Sequence, residues 1–182
     1  MWEMKFYARG GMGAVTAAKI LTNAAILEGK FAQAIPSYGQ ERKGAPVYAF
    51  ARLDAGEIAV KSYVYTPNCV LVFDESLPNL GIDIYEGLQA GGVVVMNTRD
   101  VPEVPGAVGR LALVDADKVT EEILGGGPSN MAMLGALVKA TDCVRLESLL
   151  EAIQRKIPGK VGERNAEACA RAYEETRIAQ EA

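Results

Sequence analysis

The chain has no histidine among its 182 residues, only three cysteines and a single tryptophan. The missing imidazole removes the commonest general base, and with it every Ser/His or Cys/His nucleophilic arrangement. Cys69, Cys143 and Cys169 are odd in number and far apart, without a C-x-x-C spacing, so by themselves they form no ligand set for an iron–sulfur cluster or a structural zinc. Cys69 stands inside an apolar run, where a free thiol is expected to be buried. No apolar stretch approaches the ~20 residues that span a bilayer. The start, Met1-Trp2-Glu3-Met4-Lys5, has no cationic lead followed by an apolar core, so a cytoplasmic protein is expected. There is no G-x-x-x-x-G-K-[ST] run to hold a nucleotide's phosphates, no internal repeat and no low-complexity tail. A net charge of −4 argues against a nucleic-acid surface, which usually carries a basic patch.

What is present is the composition of an ordinary soluble globule, 49% hydrophobic and 23% charged, and the length suits one domain over 1–182. Residues 2–8 read as a strand and 14–28 as an alanine-rich helix, with Thr16, Lys19 and Asn23 on one side and Val15, Ala18, Leu21 and Ala25 facing inward. Residues 31–35 read as a second strand ended by Pro36, which implies parallel pairing through a right-handed crossover. A long polar loop follows to Pro46, then a strand over 47–53 that predicts a hairpin with 58–65. The runs 68–74 and 92–97 are apolar throughout, as for strands covered on both faces, and residues 77–90 between them should be partly helical. Asp74 and Asn97 close those strands, either at a ligand-binding edge or as caps of the following turns. A strand over 110–114 leads to Asp115 and a short helix. Gly125-Gly126-Gly127-Pro128 then breaks the chain, after which Ser129 or Asn130 can cap a helix through 131–138. Leu146, Leu149, Leu150, Ile153 and Ile157 mark the inner stripe of the next helix, and 163–178 reads as a charged final helix with Arg171 four residues from Glu167 and from Glu175. The expected class is α/β: a three-layer α/β/α sandwich with a mixed, mainly parallel sheet and a Rossmann-like opening.

Two stretches are candidates for function. Arg9-Gly10-Gly11-Met12-Gly13 lies between the first strand and the first helix, where missing Cβ atoms let a partner group come close and helix N–H donors attract anions. The same glycines also suit a plain tight turn. Alignment to G-x-G-x-x-G puts Ala8 in the first glycine position, and 34–37 supplies no acid for a ribose, so a dinucleotide is poorly supported. Arg9 could instead contact a phosphate, a carboxylate or an acid on another protein.

The second stretch, Pro36-Ser37-Tyr38-Gly39-Gln40-Glu41-Arg42-Lys43-Gly44-Ala45-Pro46, taken with the first and with Asn130-Met131-Ala132-Met133-Leu134-Gly135-Ala136 and Gly162-Glu163-Arg164-Asn165, resembles the gamma subunit of 2-oxoacid:ferredoxin oxidoreductases. Glu41-Arg42-Lys43-Gly44-Ala45-Pro46 looks more like the pyruvate and branched-chain 2-oxoacid branches than the 2-oxoglutarate branch. The resemblance implies a complex that splits a 2-oxoacid with coenzyme A, releases CO2 and reduces ferredoxin, or runs in reverse. It implies that this chain holds no cofactor alone. Thiamine diphosphate, its magnesium ion and 4Fe-4S clusters would belong to alpha, beta and ferredoxin-like delta partners, with ferredoxin as the acceptor, and no nucleic acid or membrane is involved. A chain without histidine, cluster cysteines or a Gly-Asp-Gly thiamine signature agrees with that. On this likeness Arg9, Gly10, Gly11, Gly13 and Arg42 would face coenzyme A or a subunit, and Tyr38, Glu41, Arg42, Lys43 and Pro46 would lie at an interface. Met12 replaces a common glutamine, leaving a backbone role intact. Lys43 replaces a common arginine and so lacks the guanidinium fork. The alternative is a free-standing Rossmann-like nucleotide-binding or sensor domain.

Overall fold

The computed structural model describes residues 1–37 and 44–181. Its centre is a seven-stranded sheet built from β1 (Trp2–Arg9), β2 (Phe31–Pro36), β3 (Pro46–Asp54), β4 (Cys69–Val72), β5 (Gly92–Asn97), β6 (Val108–Val114) and β7 (Arg177–Glu181), in the order β2-β3-β1-β4-β5-β6-β7. The four inner strands β1, β4, β5 and β6 run parallel, while β3 is antiparallel to both β1 and β2, and β7 to β6. β4 and β5 are buried along their whole length, as their unbroken apolar runs require when both faces are covered.

The helices are α1 (Ala14–Leu27), α2 (Ala116–Leu124), α3 (Asn130–Thr141), α4 (Leu146–Lys156) and α5 (Gly159–Glu175). All five feed buried residues into one cluster with Phe6, Leu71, Val95 and Val114 of the sheet. Each fully buried Leu or Ile there, such as Ile20, Leu21 and Leu149, contributes roughly 1.5–3 kcal/mol. Thr16, Lys19 and Asn23 of α1 are exposed, as the spacing predicts. Gly135 of α3 lies so close to α5 that an added Cβ would stand 2.0 Å from the Cys169 carbonyl oxygen, and this lets the two helices touch through backbone.

The α/β class and the mixed sheet with its parallel centre match expectation, but the covering layers differ. The opposite face, with Tyr7, Val70, Val72, Val94 and Met96, is closed by Leu77, Ile84 and partly buried Tyr85 and Leu88 rather than by α-helix. Pro78, Gly81 and Gly87 interrupt that stretch, so only a 3₁₀ turn, Leu77–Leu80, forms in it. Three other expectations are corrected. β2 does not pair with β1; β3 occupies the slot between them, and among the described residues β3 is the one strand that pairs with β2. The 58–65 stretch forms no strand, because both edges of β3 are already taken. Instead the guanidinium of buried Arg52, paired with Glu3 at 2.8 Å, donates to the carbonyls of Ser62 and Tyr63 and holds the segment over the sheet. Finally, α5 starts earlier than expected and stops at Glu175, and the next residues become β7. Thr176 ends that helix in extended conformation, its hydroxyl donating back to the Ala172 carbonyl.

Candidate functional site

β1 and β2 point the same way because each is antiparallel to β3, so the loops that follow them leave the same edge of the sheet. β3 begins at that edge, with Pro46 directly opposite Arg9. The two candidate stretches are therefore joined by backbone: the Gly10 N–H donates to the Ala45 carbonyl at 2.9 Å and the Gly44 N–H to the Gly10 carbonyl at 3.4 Å. Tyr38, Glu41, Arg42 and Lys43 lie outside the described residues.

Within the glycine loop the Met12 N–H donates to the Arg9 carbonyl, and the Arg9 N–H reaches the Met12 sulfur at 3.3 Å. Gly13 is the N-cap of α1 in the left-handed region, φ 78° and ψ 24°, and its carbonyl accepts the first helical bond from Ala17. A side chain there would be strained, and it would also have no room: an added Cβ would lie 2.3 Å from the Asn130 amide nitrogen. That amide donates to the Gly13 carbonyl at 3.2 Å. Asn130 thus ties the start of α3 to the start of α1. It does not serve as the side-chain cap expected of it, and neither does Ser129. Sequence spacing offers no signal for this contact, because 117 positions separate the two residues.

Arg9 is largely committed within the chain. Its Nε lies 2.6 Å from an Asp74 carboxylate oxygen, and Nη2 donates to the Ser76 hydroxyl at 2.6 Å. Ser76 in turn donates from both its hydroxyl and its N–H to the other Asp74 oxygen. The close ion pair is not a full hydrogen bond, since the Nε–H does not point along it and that buried atom has no hydrogen-bonding partner among the described residues. Asp74 therefore both anchors Arg9 and closes its own turn. Asn97 is also structural: its amide donates to the Phe73 carbonyl and its oxygen accepts from the Ala116 N–H, linking the ends of β4 and β5 to α2. Asp115 caps α2 by accepting from the Lys118 N–H.

Beyond the ends of β4 and β5 a cleft of about 510 Å³ opens between Glu75, Ser76, Ile84, Tyr85, Met96 and Thr98. Nearby, Lys5 sits 4.7 Å from the Tyr7 ring centre and 3.1 Å from Glu86. Burial first, then the Glu86 carboxylate, pushes the Tyr7 hydroxyl well above its usual range. That hydroxyl donates to the Asp83 carbonyl and so stays a neutral structural donor.

The dinucleotide fingerprint fails physically as well as by letter. Ala8, in its first glycine position, is a buried strand residue packed into the helix-side core, where no pyrophosphate can approach. Among the described residues no three His, Cys, Asp or Glu side chains gather, and burial pushes all three thiols up, Cys143 to about 11. No helix among the described residues is long and apolar enough to cross a membrane.

Comparison with known proteins places this geometry in context. A sequence model described as pyruvate ferredoxin/flavodoxin oxidoreductase matches residues 3–175. The chain is 47% identical over 181 residues to the pyruvate/ketoisovalerate oxidoreductases common subunit gamma of Thermococcus kodakarensis, covering 97% of each. It is 44% identical over 175 residues to the pyruvate synthase subunit PorC of Methanothermobacter thermautotrophicus, covering 96% of each. Its fold matches the crystal structure of pyruvate oxidoreductase subunit PORC from Thermotoga maritima with a TM-score of 0.83 and 35% identity, over 98% of both chains. The same fold recurs, at 16% identity and a TM-score of 0.72, within 30% of a longer chain of a 2-oxoglutarate:ferredoxin oxidoreductase from Magnetococcus marinus.

Proposed function

The chain belongs to the pyruvate ferredoxin/flavodoxin oxidoreductase family as a gamma-type subunit, and on that premise we propose that it forms a single gamma-type domain over 1–182 of a complex acting on pyruvate or a related 2-oxoacid. Thiamine diphosphate, magnesium and 4Fe-4S clusters sit in alpha, beta and ferredoxin-like delta partners in the cytoplasm, with ferredoxin as acceptor. The bound thiamine supplies the carbanion chemistry of decarboxylation. This chain supplies surface: Arg9, Gly10, Gly11, Gly13 and Pro46 at one sheet edge, continued by Tyr38, Glu41, Arg42 and Lys43. That edge faces a partner subunit or the anionic part of coenzyme A, for which the N–H groups opening α1 and the charges of Arg42 and Lys43 are suited.

The observation that supports this reading is the backbone junction of Gly10 with Gly44 and Ala45, which ties the first of the two stretches that mark the family resemblance to the described end of the second. The committed Arg9 and the buried Ala8 disfavour a free-standing nucleotide sensor. Co-expression with alpha- and beta-type chains tests the proposal: the expected result is a co-eluting complex whose 2-oxoacid-dependent ferredoxin reduction requires this chain. A chain that always elutes alone and is dispensable for turnover overturns it. Arg42→Glu in the intact complex is expected to raise the KM for coenzyme A; unchanged kinetics would remove coenzyme A from that surface.

A further inference from the structure

The sheet has two outer strands, and they are guarded very differently. β7, Arg177-Ile178-Ala179-Gln180-Glu181, carries a charge at each end and meets β6 through a shift of register, both devices that discourage another strand from adding. β2, Phe31-Ala32-Gln33-Ala34-Ile35-Pro36, has no charged residue and no bulge, and its proline stands only at the last position.

The pairing pattern shows which backbone groups of β2 are free. The Ser37 N–H donates to the Tyr48 carbonyl, so by antiparallel alternation Ile35, Gln33 and Phe31 exchange bonds with β3. Ala32 and Ala34 then direct both N–H and C=O outward, and Pro36 directs its C=O outward. Among the described residues no backbone group meets them.

The side chains beside this edge are apolar. Ala32 and Ala34 pack toward the helices, so Phe31, Gln33 and Ile35 face the other way. On that side Phe31 is 49% exposed. The 58–63 segment crosses the same face, its Ile58 carbonyl accepting from the Gln33 amide and its Tyr63 ring stacked on Phe50, the register partner of Ile35. It leaves Val60 47% and Tyr63 41% exposed. An unpaired strand edge bordered by apolar side chains matches an incoming extended peptide, in which the main chain supplies the bonds and alternate side chains meet the patch.

We propose that the outer edge of β2 is a docking site for an extended segment of a partner subunit, which adds as an eighth strand and sets apolar side chains against Phe31, Ile35, Val60 and Tyr63. The occupant rests on the subunit reading above, which provides other chains permanently at hand. A second copy of this chain is the competing occupant. Self-pairing is the poorer fit, because Pro36 has no N–H to give and limits a symmetric ladder to the two alanines.

Hydrogen exchange read on the peptide covering 31–37 decides the matter, comparing the isolated chain with the purified complex. Two slow amides, those of Ala32 and Ala34, are expected in the complex only. The variant Ala34→Pro, whose lost N–H points away from β3, should leave the isolated chain folded by circular dichroism and weaken its association with partner chains by at least about tenfold. A complex that forms normally while these amides exchange as fast as in the free chain overturns the proposal and leaves the subunit reading standing. Protection that arises in the isolated chain with a concentration-dependent dimer assigns the edge to a second copy and also overturns it. Failure of any complex to form sinks both readings.

Discussion

Replacing Gly13 by alanine tests the contact that joins the starts of α1 and α3. Two separate costs arise. An L-residue at φ 78° costs about 1–2 kcal/mol relative to glycine. The new Cβ would also stand 2.3 Å from the Asn130 amide nitrogen and 3.0 Å from its Cγ, so the buried amide must turn away and give up its bond to the Gly13 carbonyl, about 1 kcal/mol more. The sum, about 2–3 kcal/mol, lowers Tm by roughly 4–12 °C in a domain of this size. Gly11 is the control, because it too has positive φ, 98°, but nothing lies within 4 Å of its Cβ position. Gly11→Ala should therefore show the backbone cost alone. Asn130→Ala removes the same bond and the obstruction together, so the double variant should be less damaged than the two single losses added, by about 1 kcal/mol or more. Urea unfolding of the four proteins measures the cycle. Additivity within ~0.3–0.5 kcal/mol, or a Gly13 variant no weaker than the Gly11 one, would refute the reasoning.

Gly135→Ala should cost about 3 kcal/mol by forcing α3 from the α5 backbone, where the nearest atom is the Cys169 carbonyl oxygen; a Tm unchanged from the parent would show that the helices can separate freely. The native chain should give almost no fast reaction with a thiol reagent at pH about 8, since a thiol pushed up to about 11 is only about 0.1% thiolate there, and three equivalents should react after denaturation. A rapid native equivalent would contradict the burial. Glu28 gives a pH effect of defined sign. Burial pushes its carboxyl up, but hydrogen bonds from Lys30, the Arg145 N–H and Ser148, with the Lys30 charge, outweigh that and hold it below its ordinary 4.5. Its contribution is thus complete above 4.5 and fades as pH falls through the lower folded value. Glu28→Gln should lower Tm at neutral pH and flatten the acid limb, and a parallel displacement of the whole Tm–pH curve would dismiss the linkage.

Local patterning carried most of the elements and little of their arrangement. The buried runs of β4 and β5, the amphipathic spacing of α1 and the inner stripe of α4 were legible because burial of a strand or helix face leaves its period in the sequence. β7 was not, since Arg177-Ile178-Ala179-Gln180-Glu181 suits a helix as well as a strand and becomes strand only by pairing with β6. The 58–65 stretch failed in the opposite sense: its two valines and two tyrosines favour a strand, but neither edge of β3 was left to pair with. At the candidate site, the sequence exposed the two glycine-bearing stretches. It hid Asn130 and Ser76, whose roles depend on partners 117 and 67 positions away.

The strand order also explains why those two stretches are joined. Had β2 paired directly with β1, the strand that ends at Arg9 would have faced β2, and Pro46 could have stood no nearer than the next slot, a further ~4.8 Å away. With β3 inserted, Pro46 is the register partner of Arg9, and the antiparallel ladder runs one step past it, into the Gly10 N–H and the Ala45 carbonyl. Ser37 is fixed to Tyr48 in the same way on the other side of β3. Both ends of the second stretch are therefore pinned to strands whose positions the core decides, and the first stretch is pinned between the second and Asn130. The glycines serve this internal junction before they serve any ligand. On the proposed subunit reading, a partner chain docking at this edge would meet a surface already held by backbone bonds, so changes that disturb Gly13 or Asn130 should weaken association even where neither residue is touched by the partner.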